Sequence, residues 1–471
     1  MIFHESMLIG EVVPYLVRFL KTNPAAPEHV EFAHLLIDEF QDLNKAEQTA
    51  LAYMGAKAMV CVVGDDDQSI YSFKSAHPDG IRQWKDQNPG CADLAMTDCH
   101  RCPTSVVSMA NSLIAHNVHR TDRNLVSIAA KGPGEVKIVQ LGDPDAEADW
   151  IASKIAALTA GGAHPSDIIV LAQRSKVAKR ILEALKGKGV PAKSYYDESQ
   201  LDSEAAQVRF SLLKILLNPD DRVALRYLLG VGSSNYRSPA YAKIRAHCEE
   251  TGLSPWAALE QLSQGIIKIK HTGHLVEVYS KIREQIAGLE AKGNDLAALV
   301  DELFPEADPD VADLRDLALT VIKDPEVANT ASLFEKMMDE ITQPDIPPTV
   351  EEVRVMSLHK SKGLSSPYVF IASCVQGIVP QLAEAGTPKA LADAKLEEAR
   401  RLFFVGITRV KAEPDNGRPG SLYLTYPREM NAGEASGAKI SFQKVVFGKA
   451  QLLPSMFVAE LGQDAPAPEA A

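Results

Sequence analysis

At 471 residues, with 46% hydrophobic and 24% charged residues, the chain exceeds one ordinary core and reads as two to four soluble globular domains. A net charge of −13 excludes a uniformly basic, histone-like binder, although local patches keep nucleic acid open as a partner. No stretch reaches the roughly 18 uncharged apolar residues of a membrane span, and the acidic start is unlike a signal peptide. Six irregularly spaced cysteines make no disulfide framework, so a cytoplasmic protein with no membrane partner is expected.

The first informative run is "HLLIDEFQDL", His34 to Leu43. Ala33, Leu35, Leu36 and Ile37 predict a strand of a parallel sheet, covered on both faces. Asp38, Glu39 and Asp42 follow at its carboxyl end, where open α/β sheets collect chemistry. Two carboxylates there can divide the work of phosphate chemistry, one holding Mg²⁺ and the other orienting or deprotonating a water. The alternative is a helix N-terminus, where acids favour the dipole.

"AMVCVVGD" (Ala58 to Asp65) predicts a second strand, running into "GDDDQSIYSFKSA" (Gly64 to Ala76). Gly64 lets backbone approach closely and Gln68 can report on a phosphate. Phe73 and Lys74 offer a ring to stack a base and a charge for its backbone, the alternative being a turn with a core aromatic. At Cys99 and Cys102 a C-x-x-C lacks the second ligand pair of a zinc site and reads as two small residues packed beside Arg101.

Further strands are predicted at "GEVKIVQL", "DIIVLAQ", "EVRVMSL", "YVFIASC" and "SLYLTYP", and their alternation with helices implies parallel α/β layers. The stretch Gln173 to Lys193 carries seven Lys or Arg against the single Glu183 and reads as an amphipathic helix with a basic outer face. Between Asp197 and Gln343 the strand signal vanishes. An all-helical domain, flanked by "YYDES" and "TQPDIPPT", is expected to interrupt an α/β domain that resumes near Val350. Within it, "GVGSSNYRS" (Gly230 to Ser238) reads either as a phosphate-admitting loop with Arg237 as its cation or as an ordinary helix–helix turn. The tail, residues 462–471, is small, proline-bearing and expected to be disordered.

Taken together, "LIDEFQD", "VGDDDQSIYSFKSA", "MTDCHRCPTSVVSMANSLI", "VRVMSLHKSKGLSSPYVFIASCVQGIVP" and "EEARRLFFVGITRVK" resemble, in order, five motifs of the superfamily 1 helicases of the UvrD, Rep and PcrA type. Even "PSMFVAEL" near the end is similar to that family's closing segment. The resemblance implies an α/β, RecA-like (P-loop NTPase) fold. Residues 1–95 would be the latter part of a first RecA-like domain. Residues 96–196 and 344–461 would form a complete second one, with 197–343 as a helical insertion.

The resemblance further implies ATP and Mg²⁺ as cofactors, single-stranded DNA and duplex junctions as partners, and ATP-driven 3′ to 5′ movement, as in DNA repair. Asp38 would hold Mg²⁺, Glu39 would position the attacking water and Gln68 would contact the γ-phosphate. Arg101 and Arg409 would stabilise the transferring phosphoryl group. Arg409 would stand at a helix end, able to reach a neighbouring domain. His100 would stack on adenine and Gly363 would lie against the nucleotide. Phe73, Lys74, Ser357, His359 and Lys362 would line the DNA groove.

Two departures stand out. The family's G-x-x-x-x-G-K-[ST] loop is absent, since "GKGV" and "FGKA" lack its spacing and hydroxyl, and Ser365 stands where the family usually has Glu. The expectation is that the phosphate-loop half has no counterpart in this chain, which alone would be inactive. Three accounts follow: a truncated copy of a full helicase, one half of a split enzyme completed by a separate polypeptide with the Walker A half, or a non-catalytic DNA-binding or partner-regulating remnant.

Overall fold

Every apolar run singled out in the sequence forms a strand. The computed structural model describes residues 9–195, 201, 203–342, 351–384 and 386–471. Most of "YYDES" and of "TQPDIPPT" lies outside them. In chain order the strands are β1 (His34–Ile37), β2 (Met59–Val62), β3 (Asp98–Cys99), β4 (Val126–Ser127), β5 (Glu135–Leu141), β6 (Ile168–Ala172) and β7 (Ala192–Ser194). They continue with β8 (Val353–Met356), β9 (Tyr368–Ala372), β10 (Ser421–Pro427), β11 (Glu429–Asn431), β12 (Phe442–Val446), β13 (Lys449–Leu452) and β14 (Glu469–Ala470). The chain divides into two units, Met1–Glu11 with Asp197–Pro347, and Val12–Tyr196 with Pro348–Ala471.

The second unit is built on a wholly parallel sheet in the order β14-β5-β10-β9-β6-β8-β7. Its central strands are buried residue after residue, as "IIVLA" and "SLYLTYP" require when helices cover both faces. The helix Pro144–Ala160 starts on Asp143, whose carboxylate accepts from the amides of Asp145 and Ala146, with Pro144 in the first turn. It buries Ala148, Ile151 and Ile155 in a cluster with Ile168, Val170, Phe370 and Tyr423. The basic stretch forms the helix Ser175–Gly187, which buries Ala178, Ile181 and Leu185.

Strands β1 and β2 pair in parallel, Leu35 opposite Val60 and Ile37 opposite Val62. The expectation of cover on both faces fails here. Burial alternates along both strands, and Leu36 and Met59 are 78% and 72% exposed. A two-stranded sheet with helices on one side leaves every second side chain facing outward.

The tail also departs from expectation. Glu469 and Ala470 pair with Val139 and Gln140 of β5, and the Ala471 amide donates to the Gln140 carbonyl. The edge of β5 presents unpaired backbone groups, and small side chains let any such segment pair with them. The sequence reading also misses the antiparallel trio β11-β13-β12. "FGKA" belongs to its hairpin, where Phe447 and Gly448 both take positive φ, the geometry of a tight primed turn between Val446 and Lys449.

Among the described residues of the first unit the regular structure is helical, with turns between the helices and no strand. Ser203, Asp221, Ser254 and Asp295 cap four of its helices by accepting from first-turn amides, each worth about 1 kcal/mol. Its core gathers Leu225, Leu229, Tyr279, Leu299, Phe304 and Leu314. Arg237 does not offer itself to a phosphate. Its Nη1 donates to the carbonyls of Leu229, Gly230 and Val231 at 3.0, 3.2 and 2.8 Å, closing the end of the helix Arg222–Gly230. Carbonyls orphaned at a helix C-terminus attract the nearest cation. Of the two readings of this loop, the turn agrees with the geometry.

Candidate functional site

β1 ends directly in the acidic segment. Asp38 is exposed, and its Oδ1 accepts from the Glu39 amide at 2.8 Å. Glu39 adopts left-handed backbone, φ 50°, a conformation a non-glycine residue holds only where its surroundings over-determine it. The buried Gln41 supplies that constraint. Its Nε2 donates to Glu39 Oε2 at 2.5 Å, and its Oε1 accepts from the Asp65 amide at 3.0 Å. Gly64 makes this possible, because a Cβ there would lie 2.3 Å from Gln41 Oε1 and 2.8 Å from Ile81.

Downstream, the three acids of "GDDDQ" separate in role. Asp66 pairs with Arg82 at 2.8 Å and Asp67 with Arg120 at 2.7 Å, both largely buried, so they hold the fold. Asp65 Oδ2 accepts from Gln68 Nε2 at 2.7 Å and thereby aims the glutamine side chain.

Lys362, expected to line the DNA groove, turns its ammonium inward toward the acids. Its side chain is nearly buried, with Nζ 2.5 Å from Asp42 Oδ2, 3.3 Å from Glu39 Oε2 and 3.0 Å from the Gln68 carbonyl. Burial raises the Asp42 pKa, while Lys362 acts against that rise. The same ammonium lies 5.2 Å from the centre of the Tyr71 ring. A cation brought this close to two carboxylates and a carbonyl is held inward by charge-assisted bonds, and solvent cannot match them.

Above Lys362 stands an aromatic platform. Phe73, 67% exposed, packs edge-on to Tyr71 and to His359, both at 5.8 Å between centroids. Lys74 Nζ stands 4.9 Å from the Tyr71 ring. The turn carrying them is fastened by Glu398, whose carboxylate accepts from the Ser72 amide at 2.8 Å and from Ser72 Oγ at 2.5 Å. Ser357 Oγ accepts from the Lys360 amide, and Gly363 keeps a positive φ of 83° that favours glycine.

The two arginines come together around Thr408. Arg101 Nη1 donates to the Thr408 carbonyl at 3.4 Å, and Arg409 Nη2 to Thr408 Oγ1 at 3.3 Å. Arg409 does not project from the end of the helix Lys389–Ile407. It is 1% exposed, with Nε donating to the Val405 carbonyl at 2.8 Å and Nη1 to the Leu364 carbonyl at 3.1 Å. Burial, with Arg101 close by, lowers its pKa to about 10, so it stays charged at neutral pH. His100 is exposed beside Arg101. Gln41, Asp65 and Glu398 were not singled out in the sequence. The signals for the first two were their places inside "DEFQD" and "GDDDQ", and Glu398 had none beyond the doubled acid of "EEARR".

Comparisons with known proteins give the chain a family. A model described as the UvrD/REP helicase N-terminal domain matches residues 8–89. One described as the UvrD-like helicase C-terminal domain matches residues 94–267 and 325–413, more than half of the chain. The ATP-dependent DNA helicase UvrD1 of Mycobacterium leprae is 29% identical over 466 residues, covering 86% of this chain and 57% of its own length. PcrA of Staphylococcus epidermidis is 23% identical (98% of this chain, 62% of the relative), and Rep of Buchnera aphidicola 26% (92% and 67%). The chain thus spans about three fifths of the length of the first of these relatives. Among the described residues no helix is long and apolar enough to cross a membrane. With both domain models matched in order, and one of them over more than half of its length, the chain belongs to the UvrD-like DNA helicase family.

Proposed function

We propose that this chain carries the water-positioning, arginine and strand-gripping parts of an ATP-driven motor that moves 3′ to 5′ along single-stranded DNA and opens duplex junctions. The observation that supports it is Lys362. One cation touches Glu39, Asp42 and the Gln68 carbonyl on one side and underlies the Tyr71–Phe73–His359 platform on the other. Chemistry at the acids and occupancy of the platform would therefore act on the same ion.

In this reading Glu39 orients the attacking water, Gln68 follows the γ-phosphate, and Arg101 and Arg409 neutralise charge on the transferring group. His100 and Gly363 lie toward the nucleotide, and Phe73, Lys74, Ser357 and His359 toward the strand. The exposed Asp38 carboxylate is the hard oxygen donor a Mg²⁺ takes, and that ion is commonly held by one or two carboxylates with phosphates and waters completing its shell. When bound, Mg²⁺ would neutralise charge on the phosphate oxygens.

The test is binding of a fluorescent oligothymidylate to the purified chain. Phe73→Ala should weaken binding at least about fivefold, since stacking is worth about 1–3 kcal/mol per base, while Glu39→Gln leaves it unchanged. A chain that does not bind the strand, or binds it equally well without Phe73, overturns the proposal. Strand binding without any nucleotide binding would favour a non-catalytic DNA-binding module.

A further inference from the structure

Cys99, half-buried in β3, and Cys102, buried just before the helix Thr104–Ile114, face each other across a tight turn. The Cys102 amide donates to Cys99 Sγ at 3.5 Å, and the Cys102 thiol lies 3.5 Å from the Thr408 carbonyl. The two sulfurs are also hydrogen-bonding neighbours. The turn treats them differently. Donation from Cys102 and the nearby Arg101 lower the Cys99 pKa to about 5, whereas Cys99 and burial hold Cys102 well above the usual thiol range. The more accessible sulfur is thus the one favoured to ionise and the buried one favoured to keep its proton, the asymmetry of a dithiol that oxidises in two steps. Cys248 and Cys374 differ, being buried with thiol pKa values raised by desolvation.

We propose that Cys99 and Cys102 are a reversible oxidation site, with a peroxide as oxidant. The Cys99 thiolate attacks one peroxide oxygen, and the O–O bond breaks. The leaving hydroxide takes a proton to become water, and Cys99 is left as a sulfenic acid. Cys102 sulfur then attacks Cys99 sulfur. The S–O bond breaks, the Cys102 proton leaves with the hydroxide as a second water, and a disulfide closes the turn. In sum, two thiols and one peroxide give one disulfide and two waters. The bond would draw Cys102 Sγ from the Thr408 carbonyl and remove the negative charge beside Arg101. Its bearing on nucleotide chemistry rests on the role proposed for Arg101, whereas the oxidation itself does not.

The purified full chain is treated with hydrogen peroxide and then with dithiothreitol, and read by intact mass, thiol titration and peptide mapping. The expected result is loss of two of the six thiols, a mass decrease of about 2 Da, a Cys99–Cys102 cross-link, and full reversal by dithiothreitol. Cys99→Ser should abolish the thiol loss. Cys102→Ser should leave a Cys99 sulfenic acid that a dimedone probe captures. Oxygen addition at Cys99 in the parent without a cross-link, or a cross-link elsewhere, overturns the proposal.

Discussion

Glu147 shows what a single buried carboxyl does to this fold. It is fully enclosed, and its oxygens accept from the Ser373 amide at 2.7 Å, Ser373 Oγ at 2.7 Å and Thr425 Oγ1 at 2.6 Å, tying β9, β10 and a helix start together. Desolvation raises its pKa above the ordinary 4.5, the hydrogen bonds and distant Arg180 only partly opposing. A raised folded value means the stabilisation is fully present below the ordinary value and is lost as pH rises through the folded one. Relative to Glu147→Gln, the parent should therefore lose melting temperature as pH climbs above about 4.5. Parallel melting curves for the two proteins across that range would show that the group does not titrate there. Residue type was legible in the sequence at such sites, but direction was not. "SKGL" and "ITR" announce a lysine and an arginine, and the pattern cannot say that Lys362 turns under the platform or that Arg409 folds back on Val405 and Leu364.

Among elements, those with a dense apolar pattern were legible and those defined by pairing were not. "IIVLA" and "YVFIA" are strands in any context that covers both faces, whereas β11 to β14 are short, polar or small and exist through register with a neighbour. The same distinction explains the link between Ser72 and Glu398, which joins the turn of Phe73 to the helix that ends beside Arg409. Glu398→Ala should leave far-UV circular dichroism and melting nearly unchanged, because Ser72 is exposed, Glu398 only half-buried, and such surface contacts contribute little. It should nonetheless weaken oligothymidylate binding a few-fold by freeing the Phe73 turn, with Glu398→Gln, which keeps one acceptor oxygen, in between. Parent-like affinity in Glu398→Ala would remove any positioning role.

At the scale of the whole molecule, two properties follow from β1, β2 and the motif inventory. Leu36, Met59 and Val63 are exposed together at the β1–β2 pair, so the chain should bind a hydrophobic dye in its native state, and Leu36→Lys with Met59→Lys should abolish most of that signal. Unchanged dye fluorescence in the double variant would place the apolar surface elsewhere. These 471 residues include no G-x-x-x-x-G-K-[ST] run, and Lys362 is already engaged with carboxylates. DNA-stimulated ATP hydrolysis by these 471 residues should be negligible, and family-typical turnover would contradict that expectation.

Arg409 sets a threshold for any chemistry that uses it. Its guanidinium holds three partners, and hydrogen bonds to a charged group are worth roughly 1.5–3 kcal/mol each. Thermal fluctuation alone would therefore free it only rarely. An incoming anion must offer acceptors better than the Val405 and Leu364 carbonyls and the Thr408 hydroxyl, which a phosphate does and a water does not. If Arg409 has the role proposed for it, this pose would withhold the guanidinium until an anion able to replace those partners arrives.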